Sequence, residues 1–382
     1  KLPPHRISPY QTAGPVKTTF YNRSDIINKI TGSPGKSFAV LGAKKIGKTS
    51  LLQRVYDNPP PNTTYLFVDM DPVFSSARTY RRFRKNLESE IKRVFNKNKV
   101  FGRTPFKRKL SRLPDITREL SREDRKVVFV FDGVDKFIQF DQKKDYKLLR
   151  LFRTMSRENY CQFIFAGCEE LYQLRRGIEG SLCDFYEEIV LKPLDKVEAI
   201  DLIIKPMESI EIYYKDKKDV GLILDYTGCH PNLIQFYCHR LVEKYKDNDP
   251  VTRPKIIYRE DIENLLDTAY EDYIVNEVYL FYTDISNMDR LILMLLVEEQ
   301  SKSNKRIFSL NEIMELLTQQ GIEIPLEDMH RHLSNLVLRF IMQDMDMDNY
   351  SFALPLFPGI LKKRLDNDFK NQIIEEIKRG II

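Results

Sequence analysis

Residues 40–55 read VLGAKKIGKTSLLQRV, and within them Gly42, Gly47, Lys48 and Thr49 fit the spacing G-x-x-x-x-G-K-[ST]. Glycines at those places let the backbone N–H groups of Gly42, Ala43, Lys44, Lys45, Ile46, Gly47, Lys48, Thr49 and Ser50 close around a β-phosphate. Lys48 then reaches the β and γ oxygens, and the Thr49 hydroxyl is placed to coordinate Mg²⁺. Such a loop needs a second anchor for the ion, a carboxylate at the end of a neighbouring apolar strand. The stretch VVFVFDGVD supplies it in Asp132, so the metal pair expected is Thr49 and Asp132. Asp135 follows three residues later, where it orients a water or supports Asp132, and the catalytic set is Lys48, Asp132 and Asp135. A Glu directly after the metal-binding Asp is a common hydrolytic base, and here that place is Gly133. Turnover is therefore expected to be slow or regulated. Glu169 and Glu170 are further substitutes for the base and rank behind Asp135.

The elements that must hold these residues are legible as apolar runs. SFAVLG, TYLFVDM, VVFVFDG, QFIFAG and EEIVLKPL are short and apolar on both faces, as parallel strands sandwiched by helices must be. Helical stretches such as TYRRFRKNLESEIKRVF and YKLLRLFRTMSREN alternate with them. The fold class that follows is α/β, a P-loop parallel sheet. After Pro193 the strands stop, and consecutive helical patterns make an all-α lid to about residue 275. MDRLILMLLVEEQ then reads as a buried helix, and SLNEIMELLTQQG opens with a capping box from Ser309 to Glu312. PLEDMHRHLSNLVLRFIM starts a third helix at Pro325, and FIMQDMDMDNYSFAL reads as a hairpin. Three helices and a hairpin are the parts of a winged helix. The boundaries expected are an arm over 1–19, a core over 20–194, a lid over 195–275, a winged helix over 276–365 and a closing helix or linker over 366–382.

Composition narrows the class. Of 382 residues, 42% are hydrophobic and 30% charged, enough apolar material for sizeable cores and too much for a disordered chain. No run approaches a membrane span and the N-terminus has no secretory core, so a cytoplasmic address is expected. The first residue is Lys, which suggests a fragment or processed chain. Five cysteines without CxxC spacing read as reduced thiols. CHPNLIQFYCH invites a zinc site, yet on one helix Cys229 and Cys238 project to opposite faces. The net charge of +6 is concentrated between Val73 and Arg112, where fourteen Lys or Arg face only Glu88 and Glu90. That stretch is either a solvated helical face or a surface for a phosphate-rich partner.

At this point the chain resembles a known class. AGPVKTTFYNRSDI, GAKKIGKTS, FDGVD, IFAG, IVLKPL, YTGCHPNLIQFYCHRL and YSFALPLFPGIL occur in the order found in bacterial STAND-class ATPases, relatives of NACHT and origin-recognition ATPases. The resemblance runs from about residue 12 to residue 365. It implies an ATPase core, helical lid and winged helix that clamp ATP or ADP with Mg²⁺ and act as a switch. It also implies that Phe20 and Arg23 lie near the adenine and that Pro231 packs on the base. The chain departs from that pattern after IFAG, where Cys168, Glu169 and Glu170 replace a clear γ-phosphate sensor and only Arg175 and Arg176 remain as candidates. His330 lies on the third helix and reads as a surface or packing residue.

The partners expected are other copies of the chain or an effector, fused or separate, with no membrane. The second reading is a DNA-associated initiator-like or transposition-type ATPase using residues 78–112; a phosphotransferase ranks last, because no segment offers an acceptor base. The winged helix is a poor DNA reader, since Asp344, Asp346 and Asp348 at its tip oppose a phosphate backbone. DMDMDNYSFALP imitates a calcium loop but has Asn349 at the glycine turn and Pro355 at the bidentate position, which excludes it.

Overall fold

A computed structural model of the chain describes residues 8–12, 14, 23–33, 35–74, 77–102, 107–176, 184–246, 254–266, 268–275, 285–364 and 367–380. They belong to two compact units. One is Asn22–Gly42 with Gly47–Lys192, and the other is Lys1–Tyr21, Ala43–Ile46 and Pro193–Ile382.

In the first unit all five apolar runs are strands: β1 (Phe38–Leu41), β2 (Thr63–Asp69), β3 (Lys126–Asp132), β4 (Gln162–Gly167) and β5 (Glu187–Val190). They form one parallel sheet in the order β2-β3-β4-β1-β5. Both faces are covered, which is why β1 is buried at every position and β3 from Val127 to Phe131. The two faces differ in shape. Phe129 and Phe131 of β3 stack on Phe163 and Phe165 of β4, and Phe152 of the helix Lys147–Arg157 lies 4.8 Å from Phe163. Aromatic pairs of this kind add about 0.5–1.5 kcal/mol each beyond the area they bury. The opposite face carries Val128, Val130, Ile164 and Ala166, and there the helix Lys48–Asp57 packs across β2 and β3.

The strand order corrects one expectation. Asp132 ends a strand that is next but one to β1, because β4 lies between them. The reach across β4 is possible because that strand ends in Ala166 and Gly167, with almost no side chain. The amides of Gly133 and Val134 both donate to the Ala166 carbonyl at 3.0 Å.

The second unit is mostly helical. The helix Lys196–Glu208 opens with a capping box between Asp195 and Glu198, and Val220–Thr227 and Pro231–Lys246 follow. Two three-residue strands, β6 (Ile212–Tyr214) and β7 (Lys255–Ile257), pair in parallel among them. The sequence reading had helices only in this span, and strands this short leave no periodicity to find. Further on, the helix Asn287–Ser303 is buried continuously from Leu291 to Val297. The Ser309–Glu312 capping box starts the helix Leu310–Gln319, and Pro325 immediately precedes the helix Leu326–Leu338. The expected hairpin forms from β9 (Met342–Asp344) and β10 (Asn349–Phe352), with β8 (Ile307–Ser309) added beside β10. The closing segment is the helix Asn367–Lys378, held to Asn287–Ser303 by the Lys370–Glu298 ion pair at 2.5 Å. One apolar cluster runs from Tyr10 to Ile374 and includes residues on both sides of position 275. No helix among the described residues is long and apolar enough to cross a membrane.

Candidate nucleotide-binding site

The loop after β1 has the backbone that anion binding requires. Gly47 takes φ +104 as the residue that caps the helix Lys48–Asp57, and a Cβ there would meet nothing within 4 Å, so conformation rather than space demands glycine. No acidic residue occupies the first turn of that helix, which leaves the positive potential of its N-terminus intact. The Lys48 ammonium donates to the Gly42 carbonyl at 2.8 Å and is held across the loop. The Thr49 hydroxyl donates to Asp132 Oδ2 at 2.7 Å, so the two expected metal ligands stand together.

Asp132 is a strained place for a charge. Burial pushes its carboxyl above the ordinary aspartate value, the Thr49 hydrogen bond and Lys48 oppose that, and the carboxylates of Asp69 and Asp71 add to it. Mg²⁺ fits this donor set: a hydroxyl and a carboxylate whose ionised form needs a positive neighbour. Among the described residues no three His, Cys, Asp or Glu side chains gather as a metal cage. Thr49 and Asp132 would therefore hold the ion with phosphate and water oxygens completing it, the usual habit of Mg²⁺.

Asp135 does something other than face Asp132. Its oxygens accept from the Cys168 amide at 2.9 and 3.0 Å and from the Leu171 amide at 3.4 Å, closing the start of the helix Glu169–Arg176. Gly167 is part of that contact, since a Cβ there would lie 3.2 Å from both Asp135 oxygens. Gly133, between the two aspartates, has φ +77. Glu170 accepts from the Gln139 amide group at 2.7 Å.

Asp69 was missed by sequence reasoning. It is the last residue of β2, in register with Asp132, and parallel pairing points both side chains to the face that the helix Lys48–Asp57 covers. Its Oδ1 accepts from the Asp71 amide at 3.0 Å, while the Met70 amide donates to the Asp132 carbonyl at 3.1 Å. The partial signal was that TYLFVD and VVFVFD end alike, which puts the two carboxylates side by side once the strands are neighbours in register.

Arg23 lies just before the helix Ser24–Thr31, and its guanidinium donates to the Lys192 carbonyl at 3.2 Å. Phe20 lies outside the described residues. Arg175 and Arg176 end the helix Glu169–Arg176. In the second unit Pro231 is the first residue of its helix, after Gly228 and Cys229 in left-handed conformations at φ +53 and +58. The next residue, Asn232, accepts from the Tyr273 hydroxyl at 2.7 Å and donates to the Thr12 carbonyl at 3.3 Å. Tyr273 stacks on Phe236, and the ammonium of Lys45 lies 5.2 Å over the Tyr273 ring. The phosphate-loop residue Lys45 thus touches the same tyrosine that holds the start of the Pro231 helix. His330 is half-buried, whereas His332 pairs with the buried Asp289 at 2.8 Å.

A parallel sheet in this order, with a phosphate loop leaving β1 and a hydroxyl–carboxylate pair at the end of β3, defines a P-loop ATPase. Residues 20–236 match the family described as an ATPase domain predominantly from Archaea, and the chain belongs to that family. Among solved structures it is similar to the Walker-type ATPase PABY2304 of Pyrococcus abyssi, with TM-score 0.63 and 17% identity over 90% of this chain and 96% of that one. It is also similar to the ORC2 protein of Aeropyrum pernix in its ADPNP–ADP complexes, with TM-score 0.54 and 14% identity over 94% of this chain and 92% of that one. At these identities the likeness concerns the fold. No curated protein sequence matches the chain.

Proposed function

We propose that the chain is a Mg²⁺-dependent ATP- or ADP-binding switch of STAND type, with slow or regulated hydrolysis. The observation that carries the reading is the 2.7 Å contact of Thr49 with Asp132 beside Lys48. Lys48 exchanges the Gly42 carbonyl for the β and γ oxygens, and the loop amides bind the β-phosphate. Bound Mg²⁺ supplies positive charge to those oxygens. Asp135 acts as a positioning residue through the Glu169–Arg176 helix. Phe20, Arg23 and Pro231 grip the base, with lid and winged helix over residues 195–275 and 276–365. The Lys45–Tyr273 contact favours a switch, because a cation drawn from that ring to phosphate alters what holds the Pro231 helix. The mechanism is a population shift, so the nucleotide must bind its two arrangements unequally. Self-assembly or an effector protein, at a cytoplasmic address, is the output.

Comparing Lys48→Ala with wild type for copurifying nucleotide and for mass in solution tests the reading. Loss of both is expected, with affinity lowered by about 2–3 kcal/mol for the missing charged hydrogen bonds, on the order of 50-fold. A variant that keeps its nucleotide overturns it.

A nucleic-acid-associated ATPase is the second reading, favoured by a cleft of about 760 Å³ lined by Lys107, Arg108, Lys109, Arg112, Arg118 and Arg122. Asp115 and Glu119 pair with Arg112 and Arg108 there, which still leaves a cationic excess. Within and beside residues 78–112, this cleft is a more concentrated place to test than the exposed Arg81, Arg82, Arg84 and Lys85 of the helix Tyr80–Lys97. Reversing Lys107, Lys109 and Arg122 should abolish a steeply salt-dependent affinity for duplex DNA; duplex binding that ignores the reversal removes the cleft from consideration.

A further inference from the structure

We infer that Asp69 is a positioning residue for the metal ion, gripping an ion-bound water beside Asp132; the inference rests on the ATPase reading above. Hydrolysis at a P-loop calls for an acidic group besides the one that anchors Mg²⁺, and the places at 133, 135 and 170 do not offer it. Position 133 is a glycine whose φ of +77 disfavours any residue with a side chain. Both Asp135 oxygens are engaged by the amides of Cys168 and Leu171, and Glu170 is engaged by Gln139.

Asp69 is placed differently. It is exposed, stands one strand away from Asp132 in register, and shares the sheet face over which the Thr49 helix packs. The Asp71 amide fixes its Oδ1 and so orients the group, leaving Oδ2 for a water. Charge points the same way. Asp69 and Asp71 both disfavour the charge of Asp132, which Lys48 favours, and Arg93, the cation in electrostatic reach of Asp69, is paired with Glu90, so the edge suits a further cation. Direct ligation by all three is not what the geometry offers, since no three-carboxylate cage is present among the described residues. A water held between the ion and Asp69 satisfies both facts. Partners of this outer kind are worth on the order of 10–100-fold in metal affinity or activity when removed.

The test uses the whole chain loaded with ADP. Mn²⁺ is titrated by electron paramagnetic resonance into wild type, Asp69→Asn and Asp71→Asn, and ATP turnover is measured alongside. Asn keeps an acceptor for the Asp71 amide, so Asp69→Asn should fold with an unchanged melting temperature. The expected result is ADP affinity in EDTA within about twofold of wild type for both variants. Mn²⁺ affinity and turnover should fall about tenfold or more for Asp69→Asn alone. Equal losses in the two variants would mean that charge in general, not the position of Asp69, matters, and would overturn the inference. So would wild-type Mn²⁺ affinity in Asp69→Asn. Failure of wild type itself to bind ADP would instead overturn the ATPase reading on which the inference stands.

Discussion

The Asp132 carboxylate is held where burial makes its charge costly. Because burial raises its pKa above the ordinary 3.8, the native state keeps a proton that the unfolded chain has already lost. Its contribution to stability is therefore full below about pH 3.8 and is lost as pH rises through the native pKa. In metal-free protein, Asp132→Asn removes that loss, so the variant should melt above wild type at pH 7. The gap should close toward pH 4. With Mg²⁺ and ADP the order should reverse, since only wild type can bind the ion through a carboxylate; calorimetric scans across pH with and without ligand check both signs. Lys48 and Thr49 stand out in the sequence by the loop spacing and Asp132 by the apolar run before it, and the fold brings the Thr49 hydroxyl to Asp132 with Lys48 folded onto Gly42. Asp135 was read for the right neighbourhood and the wrong partner, since a sequence does not say that the helix beginning near Cys168 returns to take its oxygens. Asp69 stayed hidden because strand adjacency, not spacing along the chain, brings it to Asp132.

Helices and strands show the same division between local and long-range information. The five strands and the capping box from Ser309 to Glu312 come from patterns a few residues long and were foreseeable. The order β2-β3-β4-β1-β5 and the pairing of β6 with β7 depend on contacts tens of residues apart. The turn between Val220–Thr227 and Pro231–Lys246 joins both kinds. Gly228 caps the first of these helices at φ +53, and a Cβ there would sit 2.8 Å from Leu354 and 2.9 Å from Phe340. Gly228→Ala should cost about 1–2 kcal/mol for the left-handed backbone and about 1–3 kcal/mol for the overlap. Urea unfolding read by far-ultraviolet dichroism measures the sum. The contact of Lys45 with Tyr273 should be weaker: a double-mutant cycle of Lys45→Ala and Tyr273→Phe, or Tyr273→Ala, should give about 0.5–1 kcal/mol for the ring and nothing for the hydroxyl.

For the whole molecule, the effect to measure is ligand linkage. ADP with Mg²⁺ at one hundred times its dissociation constant should add about 2.7 kcal/mol to unfolding free energy. Thermal scans should show that gain in wild type and only about 0.6 kcal/mol of it in Lys48→Ala at the same ligand concentration, given an affinity about 50-fold lower. The fold class was legible in advance because a chain that alternates apolar runs and amphipathic helices, with a phosphate loop after the first run, has few other ways to bury both sheet faces. One further consequence follows from Gly133. An L-residue with a side chain is strained at φ +77, so a single codon change to Glu at that position would disturb the turn before it could speed cleavage. Descendants of this chain are thereby kept from the short evolutionary route to a carboxylate directly beside Asp132.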